Sequence, residues 1–338
     1  MNYFNFLPND AGFYYNEGIG AMQADNIRDA IGYFNEAIRL DAYFSLAYTN
    51  RGVAYTRLGL LENAITDFDQ AILCDSNNSM AYNNRGMSYL QLAQPQKAIQ
   101  DIHQAIALNP NYADAYFNRS VIYCQWQQFQ NAMVDLNKVI TLKPNDSEAY
   151  YQRGNVYRQL EQRQQAIEDY NQAIRLNPSF FEAYVNRGSS YGVLGNYQKA
   201  IADLTQAIAL NPDFAEAYMV RASSYELLGN FQQAIEDYSQ AIALNPNLVE
   251  AYNNRGRDYF FTDNFQKAIA DCNQVLLLAP NSAAVYQNRG IIYYQLGNNK
   301  QAITDFKKAA ILFEKEGEKE FVKQLQELID SIKESSDS

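Results

Sequence analysis

The chain has 338 residues, a formal net charge of −11 at pH 7 and a pI near 4.7, and this acidity opposes nucleic-acid binding, which calls for a basic stripe. Its longest apolar runs fall well short of the roughly 18 residues of a spanning helix, and the first cationic residue is Arg28; no membrane insertion, no export and a cytoplasmic location are expected. Cys74, Cys124 and Cys272 are odd in number, far apart and in no CxxC pair, which argues against a disulfide framework and a zinc site.

In chain order, Met1 to Asp10 is an aromatic segment whose Tyr3, Phe4, Phe6 and Leu7 are expected to cover the first repeat or to form an exposed arm. From Ala11 the sequence is one 34-residue unit copied end to end. Arg51-Gly52, Arg85-Gly86, Arg119-Ser120, Arg153-Gly154, Arg187-Gly188, Arg221-Ala222, Arg255-Gly256 and Arg289-Gly290 recur at that interval, and the register places nine copies over 11–316. Such a period predicts a solenoid of stacked helical hairpins, in which each unit touches mainly its neighbours.

Within a unit, Tyr48, Gly52 and Tyr55 share one helical face and Ala64, Phe68 and Ala71 a second, so two antiparallel helices are expected. Gly59, Gly195, Gly229 and Gly297 mark the turn between them. Asn-Pro at 109–110, 177–178, 211–212 and 245–246 ends the second helix, because a residue before proline avoids the α region. Past the last copy, Phe321, Leu325, Leu328, Ile329 and Ile332 fall on one helical face, predicting a capping helix over 317–334 followed by a tail at 335–338.

The unit resembles the tetratricopeptide repeat over about nine-tenths of the chain. The first family aromatic stands at Tyr14, Tyr48, Tyr82, Tyr116, Tyr150, Tyr184, Tyr218, Tyr252 and Tyr286, and the second at tyrosines from Tyr55 to Tyr293 in the same register. The small second-helix residue is alanine in every copy, from Ala30 and Ala64 to Ala302. The family proline is present at Pro110, Pro144, Pro178, Pro212, Pro246 and Pro280. The resemblance implies an all-α, right-handed superhelical solenoid, non-enzymatic and without cofactor, that works as a protein-interaction scaffold. The tyrosines are accordingly read as packing residues, and the lone His103 as a surface residue.

One departure recurs. Where the family carries leucine before the glycine, copies two to nine carry arginine, and the same copies carry an aspartate at Asp67, Asp101, Asp135, Asp169, Asp203, Asp237, Asp271 and Asp305. The first copy has neither, with Glu17 and Tyr33 instead. Their joint absence predicts that each arginine pairs with its own aspartate across the hairpin; the alternative is a ladder for an anionic ligand.

One residue before the arginines runs a carboxamide series: Asn16, Asn50, Asn84, Asn118, Gln152, Asn186, Asn254 and Asn288, interrupted only at Val220. In the family this position faces the concave surface, where an asparagine ladder in some members grips an extended peptide; a carboxamide suits the task because it can pair with both the N–H and the C=O of a backbone, the alternative being that the asparagine repeats with the duplicated unit or bonds a neighbouring helix. Around it the resemblance places Tyr15, Ile19, Met22, Leu46, Val53, Met80, Met87, Phe117, Val121 and Cys124 in an apolar half, and Glu148, Arg158, Glu182, Glu216, Glu226, Glu250 and Arg257 in a charged half from the fifth copy onward, with Tyr151 a further peptide-binding candidate. Thr49, Asn83, Phe117, Tyr151 and Val185 stand where chaperone-binding members carry their carboxylate-clamp lysine, so chaperone tails are disfavoured. The expected partner is thus an extended protein segment of unknown identity, the alternative being a structural protein that forms homo-oligomers.

Overall fold

The computed structural model describes residues 10–337. Tyr3, Phe4, Phe6 and Leu7 lie outside the described residues, as do the side chains beyond Glu334. The described residues form helices and turns without a strand, in two compact units divided at Gln162 and Arg163.

The first unit contains α1 (Ala11–Gln23), α2 (Ile27–Leu40), α3 (Ser45–Arg57), α4 (Leu61–Cys74), α5 (Ser79–Gln91), α6 (Pro95–Leu108), α7 (Ala113–Gln125), α8 (Phe129–Leu142) and α9 (Ser147–Gln159). The second contains α10 (Arg163–Leu176), α11 (Phe181–Val193), α12 (Tyr197–Leu210), α13 (Ala215–Leu227), α14 (Phe231–Leu244), α15 (Val249–Phe261), α16 (Phe265–Leu278), α17 (Ala283–Gln295), α18 (Asn299–Glu316) and α19 (Lys319–Asp337). Odd and even helices pair as hairpins within each unit, and each even helix packs on the odd helix that follows it.

The turns explain where the helices stop. After each first helix one residue adopts the left-handed region, and the residue after it donates its N–H back to the carbonyl five residues earlier, that of the repeat's second tyrosine from the second repeat on, as Leu60 does to Tyr55 at 2.9 Å, and that of Ala21 in the first. Glycine fills this position at Gly59, Gly195, Gly229 and Gly297, whereas Asp25, Ala93, Gln127, Glu161 and Asp263 are held there against their preference, at φ between 55° and 60°. The second helices α6, α12 and α14 end at Leu108, Leu210 and Leu244, immediately before Asn-Pro.

The hairpin core is a small residue facing a large one. The second-helix alanines, Ala30 through Ala302, are fully buried. Four residues on, Phe34, Phe68, Ile102, Leu136, Leu204, Tyr238 and Phe306 are also fully buried, plugging the space under the first helix of their own hairpin. The fit is close: a Cβ on Gly52 or Gly290 would lie 2.6 Å from the ring of Phe68 or Phe306. A side chain there would displace the plug or the helix, and overpacking of this kind costs about 1–3 kcal/mol. The eighth hairpin alone departs from this rule, with Cys272 at the plug position.

At the C-terminal end, α18 stops at Gly317, whose φ is 84°. Helix α19 then folds back, burying Leu325, Ile329 and Ile332 against Ala309, Leu312 and Phe313, while Phe321 stacks on Phe313 at 4.9 Å.

Candidate peptide-binding groove

The first helices are held in place by the arginines. Arg51, Arg85, Arg119, Arg187, Arg221, Arg255 and Arg289 each donate Nε and Nη2 to the two carboxylate oxygens of the aspartate sixteen residues on, at 2.6–2.9 Å. This is the expected hairpin pair, in the bidentate geometry that makes such bonds strong. The aspartate hydrogen bond holds Arg119, Arg221, Arg255 and Arg289 above the ordinary arginine pKa, outweighing burial.

The arginine does two further things that its sequence pattern does not announce. Its guanidinium also lies 5.4–5.7 Å from the ring of the repeat's first tyrosine, from Tyr48 to Tyr286, so the tyrosines serve as cation–π platforms as well as core. Its third arm reaches back to the previous hairpin. Nη1 donates to Asn35 from Arg51, Asp69 from Arg85, Asn171 from Arg187, Thr205 from Arg221 and Ser239 from Arg255, at 2.6–3.0 Å. One side chain thus ties the first helix to its own second helix and to the one before. His103 takes the place of this acceptor before Arg119; it sits 3.4 Å from the Tyr123 hydroxyl, and burial, together with the Arg119 charge, lowers its pKa.

Successive first helices lie against each other, α1 with α3, α3 with α5 and α11 with α13, while no successive second helices approach as closely. The carboxamides stand on these first helices. Asn50 Nδ2 donates to the Tyr15 hydroxyl at 3.1 Å and to the Leu46 carbonyl at 2.9 Å. Asn118 Nδ2 donates to Asn83 Oδ1 at 2.9 Å, and Asn83 Nδ2 approaches Asn84 Oδ1 at 3.5 Å. Gln152 Nε2 donates to Glu148 at 2.8 Å. At these two places the residue preceding a carboxamide, Tyr15 or Asn83, thus acts as a bracket for the carboxamide of the next repeat, a link invisible within one repeat.

Asn16 and Asn288 are exposed, whereas Asn84, Asn186 and Asn254 are half-buried. Tyr15 is half-buried between Phe34 and Phe44. Met87 and Phe117 pack against the cores formed by Ile102 and Leu136, and Tyr151 is half-buried. In the charged half, Arg257 Nη2 donates to Glu226 at 2.6 Å, joining α15 to α13. The Tyr238 hydroxyl donates to the other oxygen of Glu226 at 3.2 Å, and Ser223 lies 3.1 Å from that hydroxyl.

Beside this cluster sits a residue that the sequence reading passed over. Asp258 is fully buried, and neither carboxylate oxygen has a hydrogen-bond partner among the described residues. Burial, reinforced by the negative charge of Glu226 and opposed by Arg257, pushes its pKa up to about 7. The signal was present: other repeats carry Ala54, Ser88, Ile122, Val156, Ser190, Ser224 or Ile292 here. Among the described residues no group of three His, Cys, Asp or Glu side chains could hold a metal, and no helix is long and apolar enough to cross a membrane.

Comparison with known proteins agrees with this architecture. The sequence matches tetratricopeptide repeat families over residues 15–79, 79–112, 147–180, 169–202, 186–248 and 259–330, and a TPR repeat family over 121–161. No curated protein sequence matches the chain. Among solved structures it is similar to a tetratricopeptide repeat protein from Parabacteroides merdae, at 23% identity and a TM-score of 0.54 over 73% of this chain and 98% of that one. It is also similar to pilF from Pseudomonas aeruginosa, at 19% identity and a TM-score of 0.56 over 61% of this chain and 94% of that one. A third is the C-terminal part of a TPR repeat-containing protein from Cytophaga hutchinsonii, at 18% identity and a TM-score of 0.55 over 71% and 98%. These three likenesses are of fold alone. The hairpin stack, the alanine at each helix crossing and the family matches along nearly the whole sequence agree: the chain belongs to the tetratricopeptide repeat family.

Proposed function

We propose that the protein is a non-enzymatic scaffold that holds an extended segment of a partner protein along the inner face of its first helices. The supporting observation is the carboxamide on eight of the nine first helices, with some of these amides already braced from the neighbouring helix. Asn50 spends its amide hydrogens on Tyr15 and Leu46, which fixes the amide plane and leaves Oδ1 as an acceptor for a peptide N–H. At about 0.5–1.5 kcal/mol net per bond, several such contacts offset part of the association cost and lead to micromolar-scale affinity.

The test replaces Asn84, Asn118 and Asn186 together by alanine. Helicity and melting temperature are expected to stay close to the wild type, because alanine is the better helix former. Affinity for the partner isolated by pull-down should drop roughly a hundredfold by calorimetry, from three lost bonds of about 1 kcal/mol. Unchanged affinity, or loss of the fold, would show that these asparagines are structural.

A further inference from the structure

The eighth hairpin lacks its plug. Seven other hairpins fill the space beneath the first helix with Phe, Tyr, Leu or Ile, all fully buried, and the eighth has Cys272 there. Gly256 above it shows the difference. An added Cβ would find only Asp271 Cβ at 3.3 Å and the Ala268 carbonyl at 3.7 Å, where Gly290 would meet a ring at 2.6 Å.

The space left is a cavity of about 220 Å³ between α15, α16 and α17, walled by Tyr252, Gly256, Phe260, Cys272, Ile291 and Ile292. Asn253, Arg257, Phe261 and the ladder residue Asn288 also line it. Phe261 is 57% exposed and Ile291 38%, so apolar surface continues outward from the cavity.

We propose that this cavity is a socket for one aromatic side chain of a partner segment lying in the groove. It deepens the groove reading and rests on it for the identity of the occupant as a peptide. The size argues for an aromatic ring: the void stands where Phe34, Phe68 and Phe306 put a phenyl group, and apolar cavities of about 150 Å³ hold benzene. The chemistry argues for a neutral one. The only charged lining residue, Arg257, is held by Glu226 at 2.6 Å, and burial pushes the Cys272 thiol up to about 11, so it carries no charge at neutral pH. Asn253 and Asn288 place carboxamides at the same cavity, able to bond the backbone that flanks an inserted ring.

The test uses toluene and N-acetyl-phenylalaninamide as probes on the full chain, with N-acetyl-alaninamide as control, read by saturation-transfer NMR and calorimetry. Wild type should bind toluene and the phenylalanine probe and not the control. Cys272→Phe rebuilds the plug, so it should weaken both probes at least tenfold while the melting temperature holds or rises. Cys272→Leu, a smaller plug of the kind found at Leu136 and Leu204, is the second variant should the phenyl group not be accommodated. Absence of toluene binding to wild type, or equal binding to a folded plug variant, would overturn the socket. Toluene has no backbone, so its binding is independent of the ladder. Probe binding retained in the Asn84, Asn118 and Asn186 triple variant, together with unchanged partner affinity, would sink the groove reading and leave the cavity standing.

Discussion

Replacing Asp258 by serine should stabilise the protein, and increasingly so as the pH rises. The carboxyl is fully buried on α15, without a hydrogen-bond partner among the described residues, and it faces Glu226 from α13, the Tyr238 hydroxyl from α14 and Arg257 from its own helix. Folded, it titrates at about 7; free, at 3.8. Below 3.8 both states carry the proton and the folded state loses nothing. Between there and about 7 the unfolded chain gives up its proton first, so stability falls as pH rises, and above about 7 the loss is constant.

The full loss is at most about 4 kcal/mol. Serine removes it and brings its own partner. Ser88, Ser190 and Ser224 occupy the same position and donate to the carbonyl four residues back at 2.8–3.0 Å. Urea unfolding followed by far-ultraviolet circular dichroism, at about pH 5.5 and about pH 8, should show the advantage of Asp258→Ser growing by about 2 kcal/mol, with slower amide exchange in α13 and α15. The lower pH stays above the pI of about 4.7, where the chain still carries net negative charge. An advantage independent of pH, or a variant less stable than wild type at both values, would refute the reasoning.

Arg187→Leu and Asp203→Leu should each lose about 3–5 kcal/mol, because each leaves a largely buried charge alone, and the double variant should recover at least half of the combined loss. Recovery stays incomplete because Arg187 also donates to Asn171 and lies over Tyr184; thermal melts giving strictly additive losses would exclude the pairing as the cause. Gln127→Gly should raise stability by about 1 kcal/mol by relieving a φ of 57° at a position where Gly59 and Gly195 sit without strain, and a lowered melting temperature would contradict this.

Much of the fold was legible in the sequence because a repeat protein satisfies its local rules many times over. The tyrosine, glycine and alanine spacing defines two helical faces, and glycine or proline ends many of the helices, so the hairpin follows from one unit. The arginine–aspartate pair was legible for the same reason: both partners lie in one repeat, and the first repeat lacks both. The left-handed turns at Ala93, Gln127 and Glu161 carry no such mark, since only the closure of the surrounding hairpin holds those residues there.

What only the tertiary structure decided lies between repeats. The third arginine arm, the Tyr15 and Asn83 brackets on the ladder, and the Glu226 carboxylate set beside Asp258 all join residues about half a repeat to a full repeat apart, whose distance depends on how one hairpin is rotated against the next. Periodicity fixes which residues share a face but not that rotation. The socket is the intermediate case. Cys272 is visible in the sequence as the small residue in a column of large ones, yet a short side chain can equally be absorbed by neighbours closing in. Only the positions of Phe260, Ile291 and Ile292, which leave the space open beneath Gly256, decide that it is a cavity.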